Sequence, residues 1–330
     1  MRGFLLLAGL ALVTACGRAP APNPGPDPAP EEPAPNVRTT SLMNGFITIR
    51  AVLPPHATGP VPAIVTFLGG DDVLAAMGVA AVSYEIHWKL LRGLAPPKEE
   101  APPPAPGTPP RTWGKWLLAS PSPRTVGQGY FQLIAGNGEQ TVPKVLDWLA
   151  TLPEIDAGRL GVAGFSTNGF VALVAAAHDP RIRVAVAVAA CGDWPTFLAQ
   201  SPLALGGEEP FDPEPAYRRF IARTDPIRHP RRLVHAALLM VNGDDDPAIP
   251  FACASATADA LRRAYAAAGV PERFRFAVVP GGGHEVQPDA RWETLGWVQR
   301  WLVETPPAAL GGPRRRSTPS ARWRLPGASG

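Results

Sequence analysis

The chain lacks the features that mark membrane-spanning, repeat and metal-binding proteins. Beyond its first residues, no apolar run approaches the roughly 20 residues that a membrane-spanning helix needs, and no segment repeats. The three cysteines have no C-x-x-C spacing and no histidine-rich run accompanies them, so we expect neither a metal nor another cofactor. Length and composition then leave a globular protein with a substantial core.

The first sixteen residues predict an export signal. Arg2 gives the segment a positive start, and Phe4 to Val13 form an apolar run that is too short to span a bilayer. The run ends in Val13-Thr14-Ala15-Cys16, which resembles a bacterial lipobox, the motif in which the cysteine is lipidated. We therefore expect a signal peptide over residues 1–15, lipidation at Cys16 and an exported protein that its lipid anchors in the cell envelope. The alternative is an ordinary secretory signal and a secreted protein.

Both ends of the chain are low in complexity. Residues 16–40 are rich in proline and alanine, so we expect an extended tether between anchor and fold. Residues 305–330 contain five arginines and no acidic residue, and without them the formal net charge of +3 becomes −2. We interpret this tail as solvated and disordered and expect no nucleic-acid partner; binding to nucleic acid or to a membrane surface is the alternative. The folded domain would cover residues 41–304.

That domain alternates between predicted strands and helices. An apolar run such as Ala63 to Leu68 is typical of a strand that is buried on both faces. The predicted strands cover residues 46–52, 63–68, 79–84, 160–165, 183–190, 237–241 and 274–279, and the predicted helices cover residues 141–152, 169–178, 251–268 and 291–303. This alternation implies a mainly parallel sheet flanked by helices. We expect residues 46–52 to form an antiparallel edge strand, and the inserted segments 85–140 and 192–236 to be lid-like.

Three polar groups follow predicted strands, in the order serine, acid, histidine. Ser166 comes directly after one strand, the run Asp244-Asp245-Asp246 after another, and His284 after a third. The carboxyl ends of parallel strands meet at one rim of a sheet, so we expect these side chains to converge. A serine nucleophile, a histidine base and an acid that orients the histidine are the machinery of covalent acyl transfer. Their order along the chain is the one expected of an α/β-hydrolase.

The segment around Ser166 predicts a tight turn between a strand and a helix. Gly164 supplies the small neighbour that such a strained turn needs, but Asn168 stands where a second glycine is usual.

An acyl-transfer site also needs two backbone N–H groups aimed at the developing oxyanion. Thr167, directly after the nucleophile, is the first candidate donor. The second is Gly70 or Gly69, because these glycines follow the strand over residues 63–68 and allow a substrate close to the backbone.

Four segments together carry a family resemblance over residues 45–304. They are Val61 to Val65, Leu152 to Val162, Val241 to Pro250 and Pro280 to His284. In this order they resemble the oxyanion strand, the lead-in to the nucleophile, the acid loop and the histidine loop of the dienelactone-hydrolase-like α/β-hydrolases, which are related to bacterial acyl-peptidases and acetylxylan esterases. The resemblance implies an α/β-hydrolase fold and makes Asp246 the acid, three residues after Gly243. Leu68 departs from the pattern, because many members have a histidine there.

These patterns predict a serine hydrolase that cleaves a small-molecule ester through an acyl-enzyme intermediate. We favour esters over peptides because prolyl-peptidase activity in the resembling family usually accompanies an added propeller domain, for which this chain has no room. The alternative is a non-catalytic envelope lipoprotein that uses the same fold to bind a ligand or a partner.

Two further cysteines, Cys191 and Cys253, both follow predicted strands. In an exported protein they can form a disulfide, and two partly buried thiols are the alternative.

Overall fold

Eight strands form one sheet in the computed structural model, which describes residues 37–43, 45–86, 131–201 and 215–306. The strands are β1 (Val37–Leu42), β2 (Ile47–Val52), β3 (Val61–Thr66), β4 (Ala80–Ile86), β5 (Ile155–Phe165), β6 (Ile182–Val188), β7 (Ala237–Gly243) and β8 (Phe274–Val279). Their order across the sheet is β1-β2-β4-β3-β5-β6-β7-β8. All pairs from β4 to β8 are parallel, so the predicted mainly parallel sheet is confirmed.

The prediction for the first strand is right in direction and wrong in position. β2 pairs antiparallel with β4, as expected, but it also pairs antiparallel with β1, which is the strand at the edge. β1 begins at Val37, so the expected boundary between tether and domain at residue 41 falls inside a strand. Residues 37–42 contain valine and threonine, which favour strands. Because they directly follow a proline-rich segment, the sequence alone predicts a tether there.

The helices connect the parallel strands and cover both faces of the sheet. They are α1 (Asp71–Ala76), α2 (Val142–Leu149), α3 (Thr167–His178), α4 (Trp194–Gln200), α5 (Pro215–Thr224), α6 (Phe251–Ala267) and α7 (Pro288–Val298). Residues 131–136 are also helical and continue through a π-helical stretch, Asn137–Thr141, into α2, and a second π-helical stretch, Gln299–Glu304, continues α7. Pro143 lies within this continuous helical run, two residues after its π-helical stretch ends, where a proline removes one backbone hydrogen bond from the helix.

Apolar side chains fill both faces of the sheet. Every residue of β6 is buried, because the strand lies between two helical layers. One core cluster contains Phe170 and Leu173 of α3, and the other contains Trp297 of α7 and Leu302. α3 is buried along most of its length, which explains its run of alanines and valines against the sheet.

Aromatic side chains from the described parts of the two inserted segments pack into the core, and the expectation of a lid stays a prediction. The ring of Phe131 stacks on Trp194 with a centroid distance of 4.3 Å and meets Phe197 edge-on at 5.5 Å. All three side chains are buried. Large aromatic rings gain more from this contact than from exposure at a rim. The rest of the expected lid, residues 87–130 and 202–214, lies outside the described residues.

The predicted signal peptide, Cys16, the tether up to residue 36 and the tail from residue 307 also lie outside the described residues, so those expectations stay predictions. Within the described ranges, no helix has the length and apolar composition needed to cross a membrane. The same residues contain no group of three histidine, cysteine or acidic side chains placed to hold a metal ion.

Asp225 is a buried carboxyl group directly after α5. Its Oδ1 accepts a hydrogen bond from the backbone N–H of Trp194 at 3.4 Å, whereas no described residue donates a hydrogen bond to its Oδ2. The Nε of Arg228, on a half-exposed side chain, lies 3.8 Å from Oδ2. Burial raises the pKa of Asp225 to about 8, and the neighbouring Asp193 also raises it. The folded protein therefore keeps this carboxyl group protonated at neutral pH.

We expect Asp225 to make the protein less stable as pH rises from about 4 to 8, by on the order of a few kcal/mol. The unfolded chain releases this proton near the ordinary pKa of 3.8, whereas the folded chain holds it up to about 8. Between these values the folded state binds more protons, so raising the pH favours unfolding. Asp225→Asn removes the proton and keeps the shape, so its stability should decline less over this range and exceed the wild-type stability at pH 9.

Urea denaturation at pH 5, 7 and 9 measures this difference. The matched control is Asp259→Asn, which changes an exposed carboxylate that pairs with Arg262 and should retain the wild-type pH dependence. Parallel curves for Asp225→Asn and wild type would contradict the prediction.

Candidate active site

Ser166 lies on a sharp turn between β5, which ends at Phe165, and α3, which begins at Thr167. Its φ of 54° and ψ of −124° form a conformation that non-glycine residues rarely adopt. Three backbone hydrogen bonds hold it there: the N–H of Ser166 donates to the carbonyl of Val188 at 2.9 Å, and its carbonyl accepts from the N–H groups of Gly169 at 2.8 Å and Phe170 at 3.1 Å. The strain is thus supported from β6 and from the first turn of α3.

Close backbone contacts explain the glycines around Ser166. A Cβ on Gly164 would overlap with the backbone carbonyl of Asn168. A Cβ on Gly169 would lie 2.8 Å from both the Cβ of Ala190 and the carbonyl oxygen of Val188. The positions that need to be small are therefore Gly164 and Gly169, and Asn168 between them is half-buried. The departure from the usual glycine spacing leaves the turn intact.

His284 connects Ser166 to Asp246. Its Nε2 lies 3.0 Å from the Oγ of Ser166, and its Nδ1 lies 2.9 Å from Oδ2 and 3.1 Å from Oδ1 of Asp246. With the proton on Nδ1, the tautomer that the carboxylate selects, Nε2 is the acceptor for the serine hydroxyl. The His284 ring also packs 5.0 Å from the ring of Phe165. The three side chains predicted to converge do lie within hydrogen-bonding distance.

Asp246 is buried, whereas the two aspartates before it are not. The Asp246 side chain is 0 % exposed, and its Oδ1 also accepts hydrogen bonds from the backbone N–H groups of Ala248 at 2.7 Å and Ile249 at 2.9 Å. Asp244 and Asp245 are both exposed. Asp246 is therefore the aspartate of this run that lies against His284.

The loop that carries the acid and the loop that carries the histidine touch through their backbones. The N–H of Asp245 donates to the carbonyl of Gly282 at 3.2 Å, and the Asp244 carboxylate accepts from the N–H of Gly281 at 2.6 Å. A Cβ on Gly243 would overlap with that carbonyl of Gly282. Glycine at position 243 therefore lets β7 and β8 place their loops close enough for Asp246 and His284 to pair.

The predicted oxyanion donors lie at the same rim. Thr167 is the first residue of α3, where backbone N–H groups point away from the helix. Gly69 and Gly70 follow β3 with φ values of 70° and 82°, a region that favours glycine. The N–H of Phe67 donates to the carbonyl of Ala163 at 3.2 Å, which holds this loop beside the turn at Ser166. Their role in stabilising an oxyanion stays a prediction.

Cys191 and Cys253 form a disulfide, which decides between the two alternatives that the sequence left open.

Sequence reasoning missed one residue near the site, Ser201, whose hydroxyl donates to the carbonyl of Ala248 at 2.5 Å. A single serine at the end of a helix carries no signal that would have identified it.

Comparison with known proteins agrees with this geometry. Residues 134–305, more than half of the chain, match the prolyl oligopeptidase family. The chain belongs to the prolyl oligopeptidase family. The matched residues include the elements that carry Ser166, Asp246 and His284. Membership supports a hydrolase of the serine type.

Similar proteins were found by sequence and by structure. The chain is 26% identical over 153 residues to the candidate esterase YitV of Bacillus subtilis, and this match spans 45% of the chain and 59% of YitV. TT1662 from Thermus thermophilus is 21% identical with a TM-score of 0.52, covering 81% of this chain and 98% of its own. Acylaminoacyl peptidase from Pyrococcus horikoshii is 15% identical with a TM-score of 0.55, covering 82% of this chain and 42% of its own. The predicted α/β-hydrolase fold is confirmed.

Proposed function

We propose that this protein is a serine esterase that cleaves small-molecule esters through an acyl-enzyme intermediate. The observation that carries the proposal is the continuous path of hydrogen-bonding distances from the Ser166 hydroxyl through His284 to the buried Asp246 carboxylate. Such a path activates a hydroxyl that is a weak nucleophile on its own.

In the proposed acylation step, the Oγ of Ser166 attacks the ester carbonyl carbon while His284 Nε2 takes the hydroxyl proton. The backbone N–H of Thr167, with that of Gly69 or Gly70, stabilises the oxyanion that forms. When the intermediate collapses, the bond to the alkoxy oxygen breaks, and His284 returns the proton to the leaving alcohol. Water then attacks the acyl-enzyme with the same base, releasing the carboxylic acid and restoring Ser166.

Asp246 holds the His284 ring in the tautomer that leaves Nε2 free to accept a proton, and it stabilises the imidazolium formed during the reaction. Its two backbone hydrogen bonds keep the carboxylate from turning away from the ring. We infer that Asp246 acts through His284 and does not contact the substrate.

Two candidate substrate classes have support. The similarity to YitV, whose name describes a candidate esterase, favours esters. The prolyl oligopeptidase family favours a peptidase, which would form the same acyl-enzyme with an amine as the leaving group. We place esters first, because the resemblance to dienelactone-hydrolase-like enzymes and acetylxylan esterases also favours them.

Turnover of unactivated ethyl and glyceryl esters, followed by acid release, should be measured beside peptide p-nitroanilides. Activated p-nitrophenyl esters from acetate to palmitate then define the preferred acyl length. We expect hydrolysis of the unactivated esters and a kcat/KM for the p-nitroanilides that is lower by at least about 100-fold, a difference in transition-state stabilisation of about 2.7 kcal/mol. The reverse ratio would make the protein a peptidase. A folded protein that turns over neither class and does not react with a fluorophosphonate probe would be a binding protein.

A further inference from the structure

The Cys191–Cys253 disulfide lies beside the loop that carries Asp246. Its cysteines are 62 residues apart in sequence, their Cα atoms are 5.7 Å apart, and both are buried. Cys191 follows the end of β6, and Cys253 lies in the first turn of α6. We call residues 244–250, between β7 and α6, the acid loop. The disulfide therefore attaches the helix that follows the acid loop to the strand that supports Ser166.

The end of the acid loop depends on the first turn of α6. The carbonyl of Pro250, its last residue, accepts hydrogen bonds from the N–H groups of Cys253 at 2.9 Å and Ala254 at 3.3 Å. The hydroxyl of Ser201 holds the carbonyl of Ala248, and the N–H of Ala248 in turn donates to Asp246. A shift of this turn would therefore move the N–H groups that orient the Asp246 carboxylate.

The segment on the Cys191 side is firmly held. Ala189 has a φ of 48°, an uncommon value for a residue with a side chain, and its N–H donates to the carbonyl of Val241 in β7 at 2.8 Å. The side-chain amide of Asn242 donates to the carbonyl of Ala190 at 3.2 Å. The N–H of Gly192 donates to the hydroxyl of Thr257 in α6 at 2.8 Å. These hydrogen bonds hold residues 189–192 in place, so the disulfide can restrain the first turn of α6 against them.

We infer that the Cys191–Cys253 disulfide positions the acid, and that opening it lowers the catalytic rate. The inference rests on the proposed function. With the disulfide closed, the first turn of α6 keeps Asp246 paired to His284. With it open, the acid loop samples more orientations, and His284 spends less time with Nε2 facing Ser166. The effect falls on kcat, because Asp246 does not contact the substrate.

Opening the disulfide is a two-electron reduction. A dithiol such as dithiothreitol supplies two electrons and two protons, becomes a cyclic disulfide, and leaves two thiols on the protein. Oxidation by excess oxidised dithiol, which becomes reduced, closes the bond again.

The test uses the full chain with Cys16→Ser, which leaves Cys191 and Cys253 as its only cysteines because the sequence has three. We expect kcat for the best p-nitrophenyl ester to fall by about tenfold or more on reduction, equivalent to about 1.4 kcal/mol of transition-state stabilisation. KM should change less than about twofold, because substrate binding is untouched. Re-oxidation should restore kcat. A thiol assay in denaturant confirms each redox state, and circular dichroism confirms that the reduced protein is folded.

Two variants distinguish positioning from general destabilisation. The double variant Cys191→Ala/Cys253→Ala should have the same kcat as the chemically reduced protein when it is assayed well below its melting temperature. In an Asp246→Asn background, opening the disulfide should cost no further kcat, because the group that it positions has already been removed. The double-cysteine variant decides the question if the buried disulfide resists reduction, and reduction of the Cys16→Ser protein decides it if that variant does not fold.

Several results would overturn the inference. These are an unchanged kcat in the reduced, folded protein, a change confined to KM, or an undiminished effect of reduction in the Asp246→Asn background. Failure of the proposed function looks different: the oxidised protein itself would lack ester turnover and probe labelling.

Discussion

Ser166→Ala is expected to lower kcat for ester hydrolysis by about 10⁴-fold or more, because it removes the atom that forms the acyl bond. The hydroxyl lies 3.0 Å from His284 Nε2, and alanine leaves the base with no nucleophile. The backbone at this position already has a φ of 54° with a non-glycine side chain, and alanine is no larger, so the turn should survive. Initial rates with p-nitrophenyl acetate and labelling by a fluorophosphonate probe measure the loss.

His284→Ala should cost a similar factor, and combining the two substitutions should cost little more, because the two residues act as one unit. Two variants serve as matched controls. Ser41→Ala changes an exposed serine on β1, and His178→Ala changes an exposed histidine at the end of α3; both should retain wild-type turnover. Probe labelling that persists in a folded Ser166→Ala protein would show that another residue is the nucleophile.

Asp246→Asn is expected to lower kcat by about 10³- to 10⁴-fold with a small change in KM. Asparagine fills the same space and can accept the backbone hydrogen bonds from Ala248 and Ile249. Its amide group favours the His284 tautomer with the proton on Nε2, and that nitrogen can no longer take the serine proton. The imidazolium formed during the reaction also loses its counter-charge.

The adjacent aspartates, Asp244 and Asp245, provide matched controls for this prediction. Asp245→Asn changes an exposed side chain, and in Asp244→Asn the new amide oxygen can still accept from the N–H of Gly281. Both variants should keep kcat within about threefold of wild type, the range of a surface charge change below 1 kcal/mol. Steady-state kinetics of the three variants side by side, with melting temperatures to confirm folding, would identify the acid. A larger loss in Asp244→Asn or Asp245→Asn than in Asp246→Asn would overturn the assignment.

Much of the sheet was predictable because its strands are buried on both faces. β6 and β7 consist of residues that are buried throughout, and such strands appear in the sequence as continuous apolar runs. β1 was missed because it lies at the edge, where only partial burial is needed and the apolar signal is weak. The core role of Phe131 was not predictable, because large aromatic residues occur in lids as well as in cores.

For the candidate site, local sequence was sufficient where a residue's role depends on its immediate neighbours. Ser166 follows a strand and precedes a helix, and His284 follows a strand and three glycines. The choice of Asp246 from the residues alone was open, because three identical side chains follow one another. Their difference is burial, 0 % exposure of the Asp246 side chain against two exposed neighbours, and burial depends on contacts with a loop almost forty residues away.

The sequence by itself predicted the alternation of strands and helices and identified Ser166 and His284 as candidate site residues. It also predicted that these two residues meet at one rim of the sheet. These follow from hydrophobic period and from short motifs, which are local properties of the chain. The residues alone left three aspartates open and the family resemblance favoured Asp246, but only the tertiary structure showed that Asp246 pairs with His284. It also showed that Cys191 and Cys253 are bonded and that Gly169 packs against Val188 and Ala190. Each of these depends on distances between segments that are far apart in sequence, and those distances exist only once β5, β6, β7 and β8 lie side by side.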